Sequence, residues 1–227
     1  MKSITKKIFA VLLTLAMCAA LAVPTLAAGN LSSYDFFKSQ GSKKAMEILD
    51  NSKFKTYTHR GEANDATNLQ NMYAALDAID KTNEYRAAEG LPALKVSDTY
   101  MAMAQVNANA SSRTMNHTME FVNQYSVLDC LYWSSNKRPA SAASDSWYAE
   151  KNGSGEKGHY ETMMGRNSGI NSTVTGAAEC ISNGSSFPFC VNETFGTDQF
   201  NEKTYTVAQY RDRLAAYMQQ NGISLPA

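Results

Sequence analysis

The chain has three histidines, His59, His117 and His159. Two of them stand near carboxylates in segments that a fold could bring together. His117 lies in "TMNHTMEF" and His159 in "GEKGHYETMM"; Glu150 closes "SWYAEK" and Asp129 sits in "VLDCLYW". Two imidazoles and two carboxylates can hold a divalent cation, because imidazole suits Zn²⁺ and carboxylate suits harder ions. The same group can also shuttle protons, with a carboxylate orienting a histidine. No two of them form a local metal motif of the H-E-x-x-H kind, so any site must be assembled by tertiary structure. The alternative for each is ordinary: a helix-end histidine, solvated carboxylates and a loop histidine. No hydroxyl stands beside an evident acid–base partner, although "NSTVTG" carries several.

The elements that must position these residues follow from periodicity. Met72, Leu76, Ile79 and Tyr85 recur at helical spacing across 68–89, Gly90 is a C-terminal cap signal, and Pro92 stops continuation. Ser97 is a candidate N-cap for a second helix to about Ser112, rich in Ala and Met as a core helix is. "SVLDCLYW", "INSTVTGAAECIS" and "SFPFCVNETFG" read as strands. A helix begins near Pro139, where a first-turn proline is tolerated. The last helix, "TYTVAQYRDRLAAYMQQNG", gathers Val207, Tyr210, Leu214 and Tyr217 on one face and ends at Gly222. Residues 29–66 offer one short helix near Lys43 to Leu49, and "GSGEKG" reads as loop. Helices first, then strands mixed with a helix, predict an α+β fold layered α-β-α.

Lys2, Lys6 and Lys7 precede an uncharged run from Ile8 to Val23, then Pro24 and "TLAAGN". This reads as a secretory signal peptide over 1–28, cleaved after Ala27 or Ala28; the run is short for a membrane anchor. Met17 before Cys18 argues against lipidation. Losing the leader removes three lysines and no acids, which leaves about three net negative charges and argues against a general nucleic-acid binder. No second long apolar run follows, so no membrane span is expected after cleavage. Export permits a disulfide among Cys130, Cys180 and Cys190. Cys180–Cys190 across a hairpin is the expected bond, worth about 2–3 kcal/mol on a chain-entropy basis. Cys130–Cys180 is the competing pair. Asn-x-Ser/Thr sequons occur at Asn109, Asn116, Asn171, Asn183 and Asn192.

The order of these segments resembles the CAP superfamily, the cysteine-rich secretory, antigen 5 and pathogenesis-related-1 proteins with SCP-like domains. "TNEYR" resembles the family's H-N-x-x-R helix end, with Asn83 and Arg86 matching and Thr82 at the usual histidine. "GLPALKVSD" resembles the following turn, "WYAEK" the W-x-x-E element, and "GHYETMM" the G-H-Y-T-Q signature. "DCLYW" stands where the family carries "GEN". The resemblance covers residues 70–197. It implies a three-layer α-β-α sandwich whose cleft holds His117, Glu150, His159 and, in the "GEN" position, Asp129, with zinc or another divalent cation as the implied ligand. Asp129 is one methylene shorter than the usual glutamate. Asn83, Arg86, Tyr160 and Trp147 are expected to support the structure, and Gly158 to present the His159 ring; His59 is expected at the surface. The expected organisation is a signal peptide at 1–28, an N-terminal extension at 29–66, the CAP/SCP-like domain at 67–200, and a C-terminal helix at 201–227 packing on it. The expected function is a secreted, extracellular binding module for an ion and a small-molecule, lipid or peptide ligand. A metal-dependent hydrolase or peptidase, and an envelope or host-interaction protein with a protein partner, are the alternatives.

Overall fold

The computed structural model describes residues 31–182 and 186–226. The expected leader and Asn183 lie outside the described residues. A four-stranded sheet forms the middle layer: β1 (Lys95–Val96), β2 (Val127–Ser134), β3 (Val174–Ile181) and β4 (Phe189–Gly196), in the order β1-β3-β4-β2. β1 runs parallel to β3, and the other pairings are antiparallel. β2 is therefore an edge strand, and its position decides where the site forms.

Two long helices clasp the sheet. Asn68 caps α3 (Leu69–Ala88), its side chain accepting from the N–H groups of Gln70 and Asn71. That helix ends as its sequence requires: Gly90 takes φ +72°, and the Leu91 N–H bonds the Arg86 carbonyl at 2.8 Å. Ser97 caps α4 (Asp98–Thr114), accepting from the Tyr100 N–H. Nearly the whole of α4, from Asp98 to Ser112, is buried. The small residues of β3 explain how. A Cβ added at Gly176 would stand 2.2 Å from Met101 N and from the Tyr100 carbonyl carbon, so the helix backbone rests directly on the strand.

Alternation along β3 assigns the faces. Gly176, Ala178 and Cys180 face α4, and the Cys180 thiol donates to the Ala108 carbonyl at 3.3 Å. Thr175 faces the other way, toward the buried Glu193 and, through it, Thr82 of α3. With α4 lie α1 (Ser33–Ser39) and α2 (Lys43–Asn51); with α3 lie α6 (Ser141–Ala149) and α7 (Gly158–Met163). α5 (Glu120–Gln124) is a single turn leading into β2, and α8 (Val207–Gln220) packs on α3 and β1. The α+β, three-layer arrangement is the one expected.

Several local expectations are corrected. Residues 33–51 form two helices rather than one, and Phe36, Phe37, Ala45, Ile48 and Leu49 are built into the same core as the rest. Met218 rather than Tyr217 joins Val207, Tyr210 and Leu214 as the buried stripe of α8; Tyr217 is partly buried and meets Phe36 edge-on. α6 starts at Ser141, with the Pro139 carbonyl accepting from Ala142 N–H ahead of it. The hairpin makes Cys180 and Cys190 direct Cα partners, yet both are free thiols, as is Cys130, and all three are buried. Asn109 and Asn192 are also buried, which removes their sequons from glycosylation in the folded chain. No helix among the described residues is long and apolar enough to cross a membrane.

Candidate functional site

The four sequence-predicted residues reach one cleft of about 410 Å³, whose lining includes His117, Asp129, Glu150 and His159. They arrive as two pairs. His117 Nδ1 lies 3.0 Å from Asp129 Oδ1, and His159 Nδ1 lies 2.6 Å from Glu150 Oε1. The edge strand explains this pairing. Asp129 and Cys130 are consecutive, so they point to opposite faces of the sheet. Asp129 meets the loop that leaves α4, which carries His117. Cys130 faces the other layer, where its thiol reaches the His159 carbonyl at 3.8 Å. The cleft thus straddles the uncovered edge of the sheet, with one imidazole supplied from each helical layer.

Each carboxylate is fully engaged. The Asp129 side chain is 4% exposed; besides His117 it accepts from Asn192 Nδ2 at 2.8 Å. Glu150 accepts from the backbone N–H of His159 at 3.1 Å and of Tyr160 at 3.3 Å through Oε2, while Oε1 holds the ring. It therefore caps the start of α7 as well as orienting His159. A carboxylate on Nδ1 fixes the tautomer and leaves Nε2 for a ligand, the arrangement by which outer groups orient metal-binding histidines. Asp129 holds His117 protonated to higher pH than usual, its hydrogen bond outweighing the opposing effect of burial. Among the described residues no three His, Cys, Asp or Glu side chains converge into a metal-holding group. The donors on offer to an ion are therefore the two imidazole Nε2 atoms, with Asp129 and Glu150 behind them rather than beside them.

The supporting residues act through backbone. Arg86, 1% exposed, donates from Nε to the Pro92 carbonyl at 3.0 Å and from its terminal nitrogens to Met163 at 2.6 Å and Ser172 at 3.4 Å. It thereby ties α3 to the end of α7. Asn83 makes a two-way bond with Leu94, at 2.7 and 3.1 Å. The Trp147 indole donates to the Leu131 carbonyl at 3.0 Å, and its ring stacks 6.1 Å from that of His159. Tyr160 is buried, and its hydroxyl accepts from Arg166 at 2.8 Å. Gly158 departs from expectation: a Cβ there would meet nothing within 4 Å, so the glycine is not what presents His159. Glu150 does that.

Sequence reasoning missed the apolar wall of the cleft, Met119, Val122 and Leu128, along with Thr162 and Asn167. Of these only "MNHTM" held a legible signal, in two methionines placed symmetrically about His117. It also missed Glu193, fully buried between Thr82 Oγ1 at 2.8 Å and Thr175 Oγ1 at 3.0 Å. Thr82 occupies the position where the family resemblance expects histidine, and the space so freed is polar. A second hollow of about 460 Å³, lined by Tyr57, exposed His59, Glu62 and Arg113 among others, lies beside the C-terminal turns of α4 and holds no paired imidazole.

Residues 79–193 match the family described as CAP, the cysteine-rich secretory protein family. That span is half the chain and contains both histidine–carboxylate pairs, and the chain belongs to this family. No curated protein matches the sequence.

Proposed function

We propose that this chain is a secreted binding module whose His117/His159 cleft takes an ion together with a small ligand. The observation that carries the reading is the pair of imidazoles, each tied at Nδ1 to a carboxylate and both lining one cleft. Orientation of this kind leaves Nε2 of each ring as the recognition atom. A divalent cation such as zinc would be held by those two nitrogens, and it would supply Lewis acidity toward an oxygen of the bound ligand. The apolar wall of Met119, Val122 and Leu128 gives the ligand somewhere to lay a hydrocarbon portion. Secretion is supported by the leader-like first residues and by family membership.

Hydrolysis has less support. Catalytic zinc commonly keeps three protein ligands, and here Asp129 and Glu150 are committed to rings and backbone amides rather than free as a general base. The test is calorimetric titration of zinc into the purified chain with His117→Ala and His159→Ala alongside. One ion bound, and lost in both variants, is the expected result. Binding indifferent to both changes would move the function to the outer loops.

A further inference from the structure

The hollow of about 460 Å³ beside the C-terminal turns of α4 shares no lining residue with the histidine cleft. Three segments frame it: residues 57–65, the end of α4, and the end of β3 with Ser182. They are fixed on one another. The Ile181 N–H donates to the Asn64 carbonyl at 2.9 Å. Asn109 accepts from the Ala66 N–H at 2.9 Å and donates to Thr58 Oγ1 at 3.3 Å. Asp65 accepts from the His59 N–H at 2.6 Å and, at its other oxygen, from the Thr67 N–H at 2.8 Å. Asp65, Asn109, Ser112 and Ser182 are all buried. A hollow of this size on a framework tied together by buried polar side chains is largely pre-formed, as small-molecule sites are.

Its polar groups divide into those the fold uses and those it leaves open. Asp65 and Asn109 are consumed by the bonds above, and Ser112 Oγ donates to the Asn109 carbonyl at 2.8 Å. Left over are Arg113 and Glu62, both exposed and of opposite charge. They line the same hollow, yet neither makes an ion pair with the other or with any other described residue. Ser182, 4% exposed, adds a hydroxyl with no hydrogen-bond partner among the described residues. The helix dipole accounts for a cation in the last turn of α4. It does not account for a carboxylate that lines the same hollow and stays apart from it. Opposite charges held apart in one polar hollow match a molecule that carries both signs. A guanidinium forks a carboxylate, and a carboxylate accepts from an ammonium group. Tyr57, Ala63 and Ile181 supply the apolar contact beside them.

We propose that this hollow binds a small zwitterion, a short peptide with free ends, with Arg113 taking its carboxylate, Glu62 its ammonium group, and Tyr57 and Ile181 flanking its side chains. Binding is non-covalent and needs no metal ion. It is independent of the His117/His159 cleft.

The test is an NMR titration of the isotope-labelled full chain with alanyl-alanine, its N-acetyl form and its C-terminal amide. Arg113→Gln and Glu62→Gln, both at exposed positions, are compared with the parent, each first shown to melt like it. The free dipeptide should shift amides within 57–65, 109–113 and 181–182 and leave those of His117, Asp129 and His159 in place. Capping either end should weaken binding to the parent at least about fivefold. The acetyl cap should cost Glu62→Gln less than about twofold, and the amide cap should cost Arg113→Gln as little, because the charged partner of each end is already gone. His117→Ala should bind the dipeptide as the parent does. No shift of the named amides in the parent at the solubility limit of the dipeptide, or shifts at the cleft instead, would overturn the site. Capped forms binding the parent as tightly as the free dipeptide would overturn the zwitterion, and cap and substitution losses that simply add would overturn the pairing of Arg113 and Glu62 with its two ends.

Discussion

At the scale of single residues, His117 and the buried Glu193 each contribute to how stability responds to pH. Asp129 raises the His117 pKa in the folded chain. A group whose folded pKa is raised binds its proton more tightly in the native state, so its contribution is complete below the unfolded value, about 6.5, and fades as pH climbs through the folded value. The stability difference between the parent and Asp129→Asn should therefore be greatest below about pH 6.5 and shrink above it. Denaturant titrations at several pH values read this directly, and a difference that grows with pH would contradict it.

Glu193 works in the same direction by a different cause. Burial pushes its carboxyl up to about 7, against the lowering influence of Thr82, Thr175 and Arg86. The hydrogen bonds suit a neutral acid. Thr175 Oγ1 has one proton and lies 2.9 Å from the Thr194 carbonyl, so the protonated Glu193 can donate to that hydroxyl. An acid kept protonated in the folded state, against about 4.3 when unfolded, loses stability for the chain as pH rises from the lower value to the higher. The loss is on the order of 3 kcal/mol by pH 8. Glu193→Gln should remove that part of the pH dependence and leave the protein more stable than the parent at pH 8, as measured by thermal melts at pH 5 and 8.

At the scale of elements, the contact of α4 with β3 is the least forgiving feature. Gly176 admits the helix backbone where any Cβ would collide with Tyr100 and Met101 backbone atoms. Backbone cannot rotate away as a side chain can, so Gly176→Ala should cost at least about 3 kcal/mol or prevent folding. Soluble yield and melting temperature measure it. The start of α3 is held more locally: Asn68→Ala at its cap should cost about 1 kcal/mol. Arg86 belongs between these cases. It is a buried cation whose partners are three carbonyls of separate segments, and Arg86→Ala should cost about 3 kcal/mol or more by orphaning them. Because one of those carbonyls is that of Met163 at the end of α7, the same variant should loosen the helix that begins with His159. Faster amide exchange there, relative to α4, would register the change.

At the scale of the whole molecule, the sheet order brings together what the chain separates. β2 lies at the edge, so the residues on its two faces meet loops from both helical layers, and a cleft opens where no fifth strand covers it. The β3–β4 register similarly sets Cys180 opposite Cys190, both thiols free and enclosed.

Much of this was legible in the sequence because it is local. The cap at Ser97, the stop at Gly90 and Pro92, and the three longer strands depend on neighbours within a few residues; the ends of the strands lie within a residue of the sequence reading, while β3 and β4 start three to four residues later than it. The four candidate site residues were also legible, since their types and order carried the family resemblance. The stripe of α8 differs by one position because Tyr217 and Met218 are both apolar, and only the packing of the folded core decides which of them is fully buried. The sequence offered the carboxylates both as ion ligands and as supports of a ring, and did not choose between the two. Whether a carboxylate is a ligand or the support of a ligand depends on which ring nitrogen it faces, and that is fixed by the edge position of β2 and by the amides at the start of α7. The sequence by itself determined the elements, the donors and their order; the tertiary structure alone decided their pairing, because distances between residues 117 and 129, or 150 and 159, are set by contacts among layers rather than by spacing along the chain.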